Sequence, residues 1–191
     1  FKNFTFKKID ISNYKPLENY LKKIKPDIII NLAATPGVRK SFEDPDTYFR
    51  NNILGFYNVY KLTITHKIKL LIFGSSSSVY GNMSKNKTNN TDSPISFYAA
   101  TKKCNEIIAH SFSKNTKTKV VGLRFFTVYG PWGRPDMAVY KFTDKIFKNK
   151  KIELFNNGKH TRDFSYIDDV VNSITKLLKK EKKLKTFQVF D

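Results

Sequence analysis

Short apolar runs alternate with amphipathic stretches along this chain. The runs at 26–34 (with Ile28, Ile29 and Ile30), 70–73 (Leu70, Leu71, Ile72, Phe73) and 119–126 (with Val120 and Val121) are short and rich in branched side chains, which predicts buried strands. Further strands are predicted at 4–11, ending near Asp10, at 152–155 and at 187–190. Leu17, Tyr20, Leu21 and Ile24 fall at helical spacing, predicting a helix over 16–25 with Pro16 in its first turn. Asp44 as N-cap and Pro45 after it open a helix over 44–66, and others are expected over 94–114, 137–147 and 167–180. Residues 82–92, rich in Asn, Ser, Thr and Lys, read as a mobile loop. Strands alternating with helices imply right-handed crossovers and an α/β, doubly wound, mostly parallel sheet.

Ligands of such sheets lie outside the carboxyl ends of the strands. Asp10, Ala33 and Ala34, the four hydroxyls Ser75 to Ser78, and Thr127 all fall at such ends. Tyr98 and Lys102 stand four apart at the start of the next helix, so they share one of its faces. An ammonium close to a phenol stabilises the phenolate and moves the tyrosine toward general-base work. A serine at the end of the preceding strand could hold the substrate oxygen whose proton the phenolate takes. A Tyr-x-x-x-Lys pair alone is unspecific. Its order after a strand and a serine run is what points to a proton-transfer site.

Composition changes this picture little. The 191 residues suffice for one sizeable core, and 40% hydrophobic with 27% charged is ordinary for a globular protein. The formal charge of +19 could mark a nucleic-acid surface, but the basic residues are mostly scattered lysines, dense only around Lys179, Lys180, Lys182 and Lys183. Solvated lysines are the expectation, with no nucleic-acid partner. Cys104 is the sole cysteine, which excludes an intrachain disulfide and suits a reducing, cytoplasmic compartment. No apolar run approaches the ~20 residues of a membrane span, so no membrane partner is expected. Phe1 opens in mid-pattern without a signal peptide, and no metal site is expected.

Several ordered segments resemble one family. They are Leu32-Ala33-Ala34 with Gly37-Val38-Arg39-Lys40-Ser41, Asn52-Ile53-Leu54-Gly55, Ser75-Ser76-Ser77-Ser78-Val79-Tyr80-Gly81, Tyr98-Ala99-Ala100-Thr101-Lys102, the long stretch Leu123 to Met137, and Arg162 to Val170. Together they resemble the extended short-chain dehydrogenase/reductases of the NAD-dependent epimerase/dehydratase family, most closely the UDP-glucuronate 4-epimerases. The resemblance implies an incomplete Rossmann-like NAD-binding domain over 1–130. Part of a smaller C-terminal substrate domain would follow over 131–191, with segments returning to the sheet. The family's first strand and Gly-rich turn are not among these residues, so the chain reads as an internal fragment. Thr35 and Pro36 also depart from the family's usual pair there.

By the same resemblance Ser76, Tyr98 and Lys102 are catalytic. Asp10, Ile11, Leu32, Ala33, Ala34, Asn52 and Phe126, with Tyr98 and Lys102, would hold NAD. Arg39, Ser77, Ser78, Thr127, Arg134 and Arg162 would face a UDP-sugar, Thr127 and Arg134 at its carboxylate. The implied reaction is inversion of C4 of UDP-glucuronate by transient oxidation. Dehydratases of this fold carry an Asp-Glu pair, and decarboxylases a Glu, where this chain has Ser77 and Ser78; serine cannot act as an acid near neutral pH. The alternatives are another UDP-hexose or UDP-N-acetylhexosamine 4-epimerase, or a non-catalytic truncated remnant. A homodimer is expected, through the helices at 44–66 and 94–114. Asp168 and Asp169 are read as helix-start residues.

Overall fold

The computed structural model describes residues 2–81, 93–159 and 161–191. The apolar runs become strands β1 (Ile28–Asn31), β2 (Leu70–Ser76) and β3 (Lys119–Phe125). The helices between them are α1 (Tyr14–Ile24), α2 (Lys40–Glu43), α3 (Pro45–Tyr48), α4 (Gly55–Thr65) and α5 (Phe97–Phe112). The chain continues through β4 (Thr127–Tyr129), α6 (Ala138–Phe147), β5 (Phe164–Tyr166), α7 (Ile167–Lys179) and β6 (Phe187–Phe190). A four-stranded sheet has the order β1-β2-β3-β6, with Ile28 to Asn31 opposite Leu70 to Phe73 in parallel register. Val120 to Leu123 likewise lie parallel to Phe187 to Phe190.

Leu70, Leu71, Ile72 and Phe73 are at most 1% exposed, as a central strand covered on both faces requires. One apolar cluster joins Leu71, Phe73 and Val120 of the sheet to Leu17 and Leu21 of α1, Phe56, Val59, Tyr60 and Leu62 of α4, and Ala109 of α5. The Phe56 and Phe73 rings meet at 4.9 Å, tilted as aromatic pairs prefer. The sheet therefore fixes the carboxyl end of β2 on a rigid base.

The chain forms two compact units, Phe1–Arg124 with Lys182–Asp191, and Phe125–Glu181. In the second, β4 and β5 pair in parallel and Tyr129 packs against Phe164 and Tyr166. Gly130 there has φ +137°, and a Cβ on it would come within 2.5 Å of the Ile167 side chain, so the turn after β4 admits only glycine.

Three expectations are corrected. The strand predicted at 4–11 does not form: residues 4–10 join no ladder, Phe4 and Phe6 are exposed, and Ile9 and Ile11 instead pack against the core. No strand forms at 152–155, where Leu154 is exposed and the chain passes into a 3₁₀ turn at Phe155–Gly158. The helix predicted over 44–66 is divided into α3, a π-helical stretch Phe49–Leu54 and α4. Strands β4 and β5, three residues each, carry too few positions to show a period. The loop predicted over 82–92 lies outside the described residues.

Candidate active site

Strand β2 ends at Ser76 and turns at once into a 3₁₀ stretch, Ser77–Tyr80. The Ser76 hydroxyl caps that turn by accepting the Ser78 N–H at 3.2 Å, which leaves its own proton out of that bond. Ser76 is buried, and Ser77 and Ser78 are half-buried. Ser96 caps α5 by accepting the Ala99 N–H, which fixes the helix start just before Tyr98.

Helix α5 packs against both β2 and the Ser77–Tyr80 turn. Lys102 is buried, and its Nζ donates to the Gly74 carbonyl at 2.8 Å, two residues before Ser76. The same Nζ stands 5.8 Å from the Tyr98 ring centroid. Burial pulls the Lys102 pKa down to about 8, still above neutrality, so the ammonium form dominates at pH 7. The Tyr98 N–H donates to the buried Ser41 hydroxyl at 3.0 Å, and the ring sits edge-on to Tyr48 at 6.3 Å. Tyr48 in turn donates to the Pro36 and Gly37 carbonyls. The loop carrying Arg39 is thus tied to the base of the tyrosine.

The depressed Lys102 pKa has a consequence for stability. The folded chain releases that proton near pH 8, whereas the unfolded chain keeps it to about its ordinary 10.5. Between those values the unfolded state binds more protons, so rising pH favours the fold. The unfolding free energy of the wild type minus that of Lys102→Met should therefore grow by about 3 kcal/mol from pH 8 to 10.5 in urea melts. A flat difference would mean that the amine is not buried.

At the end of β1, Leu32 and Ala33 are exposed, and the Ala33 N–H meets the Asn31 side chain. Asn52 is 1% exposed; its carbonyl accepts the Thr35 N–H at 2.7 Å, and its amide donates to the Thr35 carbonyl and to the Thr101 hydroxyl. Asn51, its neighbour in the π turn, reaches the Thr35 hydroxyl at 2.8 Å. This wider turn lets two successive asparagines hold one loop to α5. Asp10 is exposed, with a carboxylate held below its usual range by the Ser12 hydroxyl and then the Ser12 N–H. Asn58 donates to the Ile11 and Ser12 carbonyls, and Gly55 has no room for a Cβ against Ile11.

Ser76, Tyr98, Lys102, Asn52, Asp10, Ile11, Leu32 to Ala34, Arg39, Ser77 and Ser78 all belong to the first unit, and Phe126, Thr127, Arg134 and Arg162 to the second. Thr127 opens β4 and donates its N–H to Asp163. Phe126 is half-buried. Arg134 is engaged by Asp136 through two hydrogen bonds, and Arg162 donates to the Thr161 carbonyl. Asp168 and Asp169 occupy the first turn of α7, as expected of acidic residues at a helix start. Sequence reasoning missed Ser41, Tyr48, Asn58 and the charged pair Glu106–Arg124. Glu106 alone carried a signal, standing in helical step with Tyr98 and Lys102.

A parallel α/β sheet, a serine ending its central strand and a Tyr-x-x-x-Lys pair on the next helix are the pattern of a short-chain dehydrogenase/reductase. Residues 2–190 match the model of the NAD dependent epimerase/dehydratase family, and the chain belongs to that family. Staphylococcus aureus protein CapI is 49% identical over 181 residues, covering 93% of this chain and 54% of that protein. A probable UDP-glucuronate 4-epimerase of Rhizobium meliloti is 45% identical over 156 residues, 80% of this chain and 46% of that protein. The crystal structure of a Bacillus cereus UDP-glucuronic acid 4-epimerase in complex with UDP-glucuronic acid and NAD matches at TM-score 0.87 and 36% identity. That match covers 98% of this chain and 59% of the other. The chain spans about half the length of the curated relatives it matches.

Proposed function

We propose that the protein carrying this chain is an NAD-dependent nucleotide-sugar 4-epimerase that inverts C4 of UDP-glucuronate to give UDP-galacturonate. The observation that carries this is the buried Lys102 beside the Tyr98 ring, anchored to the strand end that bears Ser76. Residues up to about 130 supply part of the cofactor domain, and residues beyond it part of the substrate side. The donor set fits NAD on the portion supplied here. Asp10 presents an exposed carboxylate on a tied turn, and Leu32 to Ala34 offer small or apolar side chains at a strand end braced by Asn52. Tyr98 and Lys102 complete the set that this unit supplies.

When bound, NAD supplies an acceptor for hydride from C4 and its return to the same carbon. Tyr98 Oη takes the C4 hydroxyl proton, favoured as phenolate by the Lys102 ammonium. Ser76 donates its O–H to the same sugar oxygen and steadies it. After the keto sugar turns over, Tyr98 gives the proton back. Ser77 and Ser78 have no acid to offer for eliminating water or expelling a carboxyl group, which favours epimerisation over dehydration or decarboxylation. Arg39 and Arg162 serve the diphosphate or acid groups, and exposed Tyr57, Ile107 and Phe112 on α4 and α5 support a homodimer through those helices.

One observation favours a second substrate class. Arg134 is paired with Asp136, and a guanidinium so engaged is poorly placed to receive a sugar carboxylate. A 4-epimerase of a neutral UDP-hexose would not need it. Steady-state assays on the whole protein separate the two. Arg134→Ala should raise KM for UDP-glucuronate about tenfold or more, the worth of a charge-assisted bond, and leave UDP-glucose within about twofold. Equal losses on both sugars would give the neutral substrate the better claim.

A further inference from the structure

Ser76 can act on a sugar oxygen only if the turn that carries it is held to a fraction of an ångström. Side chains alternate along a strand, so Ser75 points away from Ser76, toward α5. There its Oγ donates to Glu106 Oε1 at 2.6 Å. Glu106 lies one helical turn beyond Lys102 and is buried. Its two oxygens accept from Arg124 Nε and Nη2 of β3, each at 2.9 Å, a bidentate pair with fixed geometry. The third guanidinium nitrogen, Nη1, donates to the Tyr80 hydroxyl at 2.8 Å, and the guanidinium carbon stands 4.8 Å from the Tyr80 ring centroid. The Tyr80 hydroxyl in turn donates to the Asp191 carboxylate.

These bonds form a ring. It leaves the main chain at Ser75, crosses Glu106 and Arg124, and returns to the main chain at Tyr80. Enclosed between the two points of return are Ser76, Ser77, Ser78 and Val79. We propose that Glu106 and Arg124 are positioning residues which, through Ser75 and Tyr80, clamp the Ser76–Ser78 turn from both sides and set the Ser76 hydroxyl against the reacting oxygen. This rests on the role given above to Ser76, Tyr98 and Lys102. The Lys102 bond to Gly74 is a separate anchor on the amino side of the same turn, so the clamp can be loosened without touching the tyrosine–lysine pair.

Ser75→Ala and Tyr80→Phe each remove one hydroxyl and leave the Glu106–Arg124 pair whole. Assayed on the whole protein with UDP-glucuronate and with UDP-glucose, each should lower kcat about fivefold, and the double variant about a hundredfold, the scale of a misplaced catalytic group. KM should change less than kcat, and the pH profile of kcat should keep its shape, because the Tyr98–Lys102 pair is untouched. Tyr98→Phe is run beside them. If Tyr98→Phe is inactive while the double variant keeps kcat within twofold of wild type, the clamp is refuted and the site stands. A loss no greater than the loss of folded protein seen by circular dichroism, or a rise in KM alone, also refutes it. Full activity in Tyr98→Phe removes the site and the clamp together.

Discussion

Tyr98→Phe should lower turnover of the UDP-sugar by about 10²–10⁴-fold while sugar binding changes little. The substitution removes one oxygen and leaves the ring, its edge contact with Tyr48 and the main-chain bond to Ser41 in place. The Lys102 amine, held by the Gly74 carbonyl, stays where it is. What disappears is the group that moves the C4 proton, so the loss falls on kcat and not on KM. Product formation measured by chromatography, alongside sugar affinity by calorimetry, checks both halves. Turnover within tenfold of wild type would take the proton-transfer role away from Tyr98.

Sequence patterning revealed the sheet where burial was deepest. Leu70 to Phe73 and Val120 to Val121 are buried on both faces, and a run without polar interruption is the direct imprint of that position. It failed where apolar residues serve another purpose. Ile9 and Ile11 look like a strand but fasten a turn to the core, with Asn58 binding its carbonyls. Ladders of three residues, as in β4 and β5, are set by their partner and not by their own period. Tyr98 and Lys102 could be singled out as candidates because they are local on one helix, and Ser76 because it follows a recognisable strand. Glu106 showed only its helical step with Lys102 and Arg124 showed nothing, since a charged residue on a helix or a strand ordinarily faces water. The burial of Glu106 against Arg124 is a tertiary fact, visible only once β3 lies beside β2.

Arg124→Met should destabilise the fold by about 3–5 kcal/mol in urea unfolding at neutral pH. The cause is the carboxylate left behind, more than the contact removed. Glu106 is 4% exposed, and without the guanidinium only Ser75 among its bonded partners here remains to offset the cost of a buried charge. Glu106 also holds the guanidinium above its already high ordinary pKa, so Arg124 keeps its charge. Glu106→Gln combined with Arg124→Met leaves no unpaired charge, and should cost less than Arg124→Met alone. If the single variant loses under about 1 kcal/mol, or the double loses as much as both singles together, the pair is a solvated surface contact.

A lysine-backed phenol and a serine at a strand end, working on one sugar carbon, are tested most directly by isotope retention. The whole protein is given UDP-glucuronate carrying deuterium at C4 in ordinary water, and the product is read by NMR. Inverted C4 with the deuterium kept is the expected result, because the hydrogen leaves and returns within one closed site. Inversion with the label lost to solvent, or no inversion by a folded protein supplied with NAD, would contradict it.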